Sequence, residues 1–296
     1  MELIKLRGNT YYISNNTNVG VFTYKNKNCL LVDTGSSNTI ARKIDEVLKS
    51  NRLHPKYIIN THNHPDHCGG NIYITATYPG CITYASRKEK LYMENVELLA
   101  TNLFGSITPK GLNRAKIAKV DDILQYGVNR ISDEKIKIIS LKGHSIEQIG
   151  VITPDKVCFL GDSIFSTCIL EKYSIPYLYS IEDSLESLEY IKEIDADIFV
   201  LSHSEVIYSK EEIVNLADKN IQAINGLLEE YLTILEQPQT REDLLQNMMI
   251  LNEIPDPEQV QYLLYLASTS AFIACLCDKG YLEYYSENGK LYYYKR

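Results

Sequence analysis

Half of the six histidines in this 296-residue chain fall within six positions, as His62, His64 and His67 of HNHPDH. Imidazole nitrogens and carboxylate oxygens are the ligands that zinc and its borderline neighbours prefer, so a segment this dense in both needs a scaffold that makes them converge. The residues just before it, Tyr57 to Ile59, read as a compact apolar strand. Such a strand delivers the cluster at its C-terminal edge, where α/β folds place their sites. Alternate residues 62, 64 and 66 point to a common side as the chain leaves the strand, and Pro65 stiffens the turn that brings His67 round.

Three later strands end in the same manner. Ile136 to Leu141 runs into Gly143-His144-Ser145, Val157 to Leu160 into Gly161-Asp162-Ser163, and Ile198 to Leu201 into Ser202-His203-Ser204. His62, His64, Asp66, His67, His144, Asp162 and His203 thus come from four strand ends and suffice for two ions. Two metals about 3.5 to 4 Å apart can share a hydroxide and jointly stabilise a developing oxyanion. Asp162, alone on its strand end, is the natural carboxylate to bridge them.

Around these strands the chain reads as an opening β-meander over residues 3 to 7, 10 to 13, 19 to 24 and 29 to 33, with NNTN and KNKN as turns. Ser36 or Ser37 caps a helix carrying Ile40, Ile44, Val47 and Leu48, and His54 and Pro55 end that connection. Ile72 to Ile74 and Ile82 to Tyr84 are expected as short strands. Residues 86 to 126, with Leu98, Leu99, Leu103, Phe104, Leu112 and Tyr126, form either a lid or an ordinary helical excursion. TPDK joins a hairpin, and Ser180 with Asp183 caps a helix bearing Leu185, Leu188 and Ile191.

Residues 211 to 296 read as a separate unit, with helices over 211 to 236, 241 to 250, around 258 to 266, and 270 to 279. A tyrosine-rich hairpin turning at Asn288-Gly289 follows. Three helices and a hairpin resemble a winged helix. Its last helix, AFIACLCDK, is apolar where a DNA-reading helix is basic, which points to a dimer or substrate-side module.

Charge agrees. Residues 211 to 296 hold 6 Lys and Arg against 14 Asp and Glu, which accounts for the net −8, while residues 1 to 210 balance at 24 against 24. Neither part attracts a polyanion at long range, so a small molecule is expected as substrate and nucleic acid is not. The seven cysteines are scattered, as small buried hydrophobes of a reducing compartment would be. Cys68 is expected to pack at the start of a helix, where its thiol would be open to oxidation. No basic segment with an apolar stretch opens the chain, and no later run approaches the roughly 18 apolar residues of a membrane span. A soluble, cytoplasmic protein without membrane attachment, and a possible homodimer, is expected.

The ordered set HNHPDH, Gly143-His144, Gly161-Asp162 and Ser202-His203, with LLVDTG at 30 to 35, resembles the metallo-β-lactamase superfamily over roughly residues 1 to 210. The resemblance implies an α/β protein: an αβ/βα sandwich of two mixed sheets over residues 1–210, followed here by the small, mostly helical, winged-helix-like unit of 211–296. It implies that His62, His64 and His144 hold a first metal, that Asp66, His67 and His203 hold a second, and that Asp162 bridges. Asp66 would also orient the bridging water, and Asp33 would stand behind the ligands. Two divalent ions are implied, zinc foremost, with iron and manganese as alternatives.

A histidine at 64, where the flavodiiron branch carries glutamate, favours hydrolysis. The INTHNHPDHCGGN context is most similar to hydroxyacylglutathione hydrolases and lactonases, so a thioester or lactone is the expected substrate. LKGHSIEQ and LSHSE depart from the thioesterase patterns T-P-G-H-T-P-G and P-G-H-G, and glutathione recognition does not map onto the acidic C-terminal part. The rivals are an endoribonuclease or phosphodiesterase, to which a strip of Lys110, Arg114, Lys116 and Lys119 would point, an iron-dependent persulfide dioxygenase, and a non-catalytic winged-helix protein.

Overall fold

The computed structural model describes residues 1–106 and 116–296. Strands β1 (Leu3–Arg7), β2 (Thr10–Ile13), β3 (Val19–Thr23) and β4 (Asn28–Val32) form an antiparallel meander, from which α1 (Asn38–Ser50) returns the chain to β5 (His54–Ile59). The cap of α1 is Ser37, whose side chain accepts from the Ile40 amide. His54 and Pro55 therefore begin β5 rather than end the helical connection, because the turn at 51–53 already reverses the chain.

After β5 come two short helices, α2 (Pro65–Cys68) and α3 (Asn71–Thr77), then β6 (Ile82–Ala85), α4 (Arg87–Glu94), α5 (Val96–Phe104) and the edge strand β7 (Asp122–Ile123). Ile72 to Ile74, expected as a strand, lies in α3. Its β-branched residues favour extended backbone, but Ile74 buries fully beside α1 when the segment coils, and tertiary packing overrides propensity. Strands β1 to β7 form one sheet in sequence order, with β4 to β7 parallel.

The second sheet, in order β13-β12-β11-β10-β9-β8, comprises β8 (Gly127–Ile131), β9 (Glu134–Ser140), β10 (Ile149–Ile152), β11 (Val157–Phe159), β12 (Ile198–Val200) and β13 (Ile207–Ser209). Between β11 and β12 lie α6 (Thr167–Lys172) and α7 (Ile181–Glu193). The sequence pattern ends this part at β12; in the structure β13 follows it as a three-residue antiparallel edge too short to carry a pattern.

The sheets face each other across a core that includes Phe22, Leu30, Val32, Ile59, Ile138, Val151, Phe159 and Val200. α1 and α3 cover the outer face of the first sheet. The outer face of the second carries α7 together with α8 (Lys210–Ile234), α9 (Arg241–Leu251) and α10 (Gln259–Asp278), in one continuous cluster with Leu141, Cys158, Leu160 and Phe199. The resulting order of layers is helix, sheet, sheet, helix.

α10 is a single 20-residue helix in place of the two expected, since nothing between 266 and 270 breaks it. By length and composition it could span a membrane, contrary to the expectation that no segment approaches this. Tyr265, Phe272, Ile273 and Leu276 are buried in the core cluster, so it packs as a core helix. The chain ends in the hairpin β14 (Leu282–Glu287) and β15 (Lys290–Lys295). Asn288 and Gly289, both at positive φ, form its turn, and Tyr285 stacks on Tyr292.

The expected lid rests partly on residues 107–115, with Leu112, and on the side chains of Leu99, Leu103 and Phe104, all outside the described set. Cys68 sits at the end of α2, not the start of a helix. It packs as expected, 7% exposed beside Ala85 and Met93; its thiol donates to the carbonyls of Asn63 and His64, and burial pushes its pKa up to about 12, which disfavours the oxidation-prone thiolate.

Candidate metal centre

β9, β11 and β12 run in one direction, as do β4 and β5, and the C-terminal ends of all five meet at one edge of the sandwich. The five ends supply every residue of the cluster. Asp33 follows β4, residues 60–67 follow β5, His144 follows β9, Asp162 follows β11 and His203 follows β12. Asp66 and His67 lie on α2, with Pro65 at its first position.

Two groups result. Single donor atoms of His62, His64 and His144 all lie within 4.8 Å of one another, and so do those of Asp66, His67, Asp162 and His203. Asp162 joins the groups: Oδ2 is 3.6 Å from His144 Nε2 and 3.3 Å from His203 Nε2, while Oδ1 is 3.3 Å from His67 Nε2. His67 Nε2 and His203 Nε2 are 3.4 and 3.2 Å from Asp66 Oδ2.

The ring orientations are set from behind. Asp33 adopts φ 65°, a left-handed conformation that aspartate tolerates better than most residues. Its carboxylate accepts from Thr61 N at 2.9 Å, Thr61 Oγ1 at 2.8 Å and His67 Nδ1 at 2.8 Å. Because the Thr61 hydroxyl proton goes to Asp33, Oγ1 accepts from His62 Nδ1 at 3.0 Å. His203 Nδ1 donates to the Asn16 carbonyl at 2.7 Å. With Nδ1 occupied on three rings, Nε2 is the free ligand atom of each. His62 Nε2 is buried without a hydrogen-bond partner, and His67 Nε2 and Asp162 Oδ1, equally buried, face each other at a long 3.3 Å. That arrangement is costly unless an ion satisfies them, so the residues fit a dinuclear centre.

Residues with no signal in the sequence complete the scaffold. Glu89 of α4, 0% exposed, accepts from Asn63 N at 2.9 Å, from Asn63 Nδ2, from Ser145 Oγ at 2.6 Å and from Glu147 N at 2.9 Å. It therefore ties the loop carrying His62 and His64 to the loop carrying His144. The turn NNTN, expected only to reverse the chain, also braces the site. Thr17 Oγ1 donates to Asp66, and Asn18 Nδ2 donates to the carbonyls of Leu201 and Ser204 on either side of His203. Gly143 has φ +124°, and a Cβ there would lie 2.2 Å from Ser184 Oγ, so only glycine lets the His144 loop rest on α7.

The electrostatics differ between the groups. Burial lowers the basicity of His62, His64 and His144, His64 to about 3, so all three rings are neutral. For His67 and His203 burial acts the same way, but the carboxylates outweigh it: Asp162, Asp33 and Asp66 raise His67, and Asp162 and Asp66 raise His203 to about 10. Without an ion, protons occupy the second group.

A pH prediction follows. Loading the second group expels protons from two histidines whose pKa values are raised. Its affinity should fall as pH falls, by up to about a hundredfold per unit if two protons leave, while the first group, already neutral near pH 7, responds far less. Calorimetric zinc titrations in buffers of different ionisation enthalpy should show about two protons released on filling the weaker site. Equal proton release at both sites would contradict this assignment.

The centre is asymmetric in exposure. Asp162 is 8% exposed, whereas the side chains of Asp66 and His203 are 40% and 35% exposed, so the second group faces solvent. Over the first group lie two aromatic rings. Tyr177 has its centroid 5.6 Å from His64 and 5.5 Å from His144, and Phe165 lies 6.2 Å from His144. Of the basic strip, Lys110 and Arg114 lie outside the described residues, Lys116 is exposed, and Lys119 pairs with Asp121 at 3.1 Å.

Comparison with known proteins places this arrangement. The pattern of the metallo-beta-lactamase superfamily matches residues 14–203. A hydroxyacylglutathione hydrolase of Prochlorococcus marinus (strain MIT 9312) is 27% identical over 226 residues, 72% of this chain and 76% of that protein. A probable metallo-hydrolase of Methanocaldococcus jannaschii is 25% identical over 209 residues, 69% of this chain and 93% of its own. A solved metallo-beta-lactamase family protein from Thermus thermophilus superposes with a TM-score of 0.73 at 18% identity, covering 97% of this chain and 99% of that one. That coverage takes in the C-terminal helices, so the likeness of fold extends beyond residue 203.

Proposed function

This chain belongs to the metallo-beta-lactamase superfamily and is a metal-dependent hydrolase, and on that premise we propose that it cleaves a small thioester or lactone with two divalent ions, zinc foremost. The observation that carries the reading is the pair of donor groups joined by Asp162, with the buried His62 Nε2 facing them and left without a hydrogen-bond partner. His62, His64 and His144 would hold one ion, Asp66, His67 and His203 the other, and Asp162 both. Ions so held supply an acidified water and a charge that polarises the carbonyl oxygen.

The chain's own residues do the rest. Asp66, the more exposed carboxylate, would orient the attacking water, whose proton passes to the departing thiolate or alkoxide. Phe165 and Tyr177 exclude solvent from the first group and give the acyl portion an apolar wall. The leaving group departs on the open side, past Asp66 and His203. Relatives named for hydroxyacylglutathione, itself a thioester, support the substrate class. The departures LKGHSIEQ and LSHSE argue for a leaving group other than glutathione.

We read α8 to α10 with β14 and β15 as winged-helix-like. The bridge from Gln239 to Tyr293 lies where a short third strand would join the wing. The apolar last helix, AFIACLCDK, favours a substrate-side or dimer module, the acidity of residues 211–296 weighs against nucleic acid, and we propose a cytoplasmic location.

The test is elemental analysis of protein purified without added metal, together with turnover of one thioester, one lactone, one phosphodiester and one short RNA. About two zinc ions per chain with carbonyl-substrate turnover is expected. RNA cleavage would reassign the chain to the nucleases, and a single iron with oxygen consumption to the dioxygenases.

A further inference from the structure

Tyr177 lies on the connection between α6 and α7, and that connection is held from two directions. On one side, Tyr179 N and Ser180 N donate to the carbonyl of Gly143, the residue before His144, at 2.8 and 2.9 Å. On the other, α10 reaches across with one hydroxyl. Ser268, 0% exposed, accepts from Leu178 N at 3.1 Å and donates to the Pro176 carbonyl at 3.3 Å.

These two peptide groups flank Tyr177 directly, so the position of the Ser268 oxygen sets that of the Tyr177 backbone. Ile175 and Leu178 are buried in the same core cluster as Tyr265 and Phe272 of α10, which leaves the segment little freedom to reach the site any other way.

We propose that Ser268 is a positioning residue for the metal centre: it holds Tyr177 against His64 and His144, and through it the C-terminal helices become a working part of the active site. A hydroxyl that satisfied only its own helix would bond back to the preceding turn. This one bridges a donor and an acceptor on either side of the aromatic residue that packs on two ligand rings. The hydrogen-bonding half of the proposal stands on geometry alone, and only its kinetic half rests on the hydrolase reading.

The test uses full-length, zinc-loaded protein in four forms: unmodified, Ser268→Ala, Tyr177→Ala and the double variant. Hydrogen exchange followed by mass spectrometry over residues 173–180 reads the holding role without reference to turnover. Ser268→Ala should speed exchange there by about tenfold, the loss expected for one or two buried hydrogen bonds, with the sheets unchanged.

Hydrolysis of an aryl thioester reads the functional role. Ser268→Ala should lower kcat/KM by about tenfold when Tyr177 is present and by less than about twofold in the Tyr177→Ala background, because the effect passes through that ring. Equal losses in both backgrounds, or unchanged exchange at 173–180, overturn the proposal. If the unmodified protein turns over no acyl substrate, the hydrolase reading fails, and exchange still decides whether Ser268 holds the loop. Should Ser268→Ala not fold, Ser268→Cys, a weaker hydrogen-bonding group of similar size, takes its place with the same readouts.

Discussion

Asp162→Asn should leave the fold intact and remove metal and activity together. The carboxylate is 8% exposed and sits between both donor groups. Burial alone would raise its pKa, but His67 and His203 hold it well below the usual range, so it is an anion in a cationic setting. An amide of the same shape keeps the packing and removes the charge. It also turns an N–H pair toward one of the positions where an ion needs an acceptor.

Two ions held close together would then lack the anion that offsets their repulsion, and the several kcal/mol of charge stabilisation they supply corresponds to a rate loss of about a thousandfold. Metal content measured beside kcat/KM on the thioester decides it. An Asp162→Asn protein that keeps two metals and near-normal turnover would sink the bridging role.

Glu89→Gln should be nearly as damaging, although Glu89 touches no candidate ligand. Its Oε2 accepts from Asn63 N and Nδ2, and its Oε1 from Ser145 Oγ and Glu147 N. Glutamine can keep one oxygen acceptor; whichever way the amide flips, its N–H pair faces a backbone N–H, of Asn63 or of Glu147, that can only donate. At least that buried donor is left without an acceptor, at a cost of about 1–3 kcal/mol.

Because those donors border His62, His64 and His144, the strain falls on the first donor group. Affinity for one ion should drop by about 10- to 100-fold, as when other outer-shell partners of metal ligands are removed, while the second group holds its ion. Competitive zinc titration should show one site weakened and one unchanged. Uniform weakening of both would mean that Glu89 acts on the fold as a whole.

The contrast between these residues shows how far the sequence is legible. Asp162 stands in a short text, Gly-Asp at the end of an apolar strand, and strand ends are where side chains can converge. Glu89 stands in SRKEKLYMEN, a charged helical stretch in which nothing separates it from Glu94. Its role depends on where α4 lies relative to loops 26 and 56 residues away in the chain.

The same holds for NNTN, whose residues suit a turn and whose bracing of Asp66 and His203 depends on partners 49 and more than 180 residues on. Misread elements have the same origin. Ile72 to Ile74 follows local propensity toward a strand, and burial of Ile74 against α1 decides for a helix. Polar residues interrupt the apolar run of α10 and suggest a break there, yet Ser268 and Thr269 are buried and hydrogen-bonded, Thr269 to Tyr231 at 2.9 Å.

What the sequence by itself determined was the candidate chemistry: the donor types, their order, their placement on strand ends and hence the α/β architecture that carries them. Those are local properties, written in periods of two and in runs of a few residues. What only the tertiary structure decided was support. Which carboxylate orients which ring, which hydroxyl from α10 seats Tyr177, and which group faces solvent all depend on distances between segments far apart in the chain. Such distances are set by packing the four layers together, and no short window of residues encodes them.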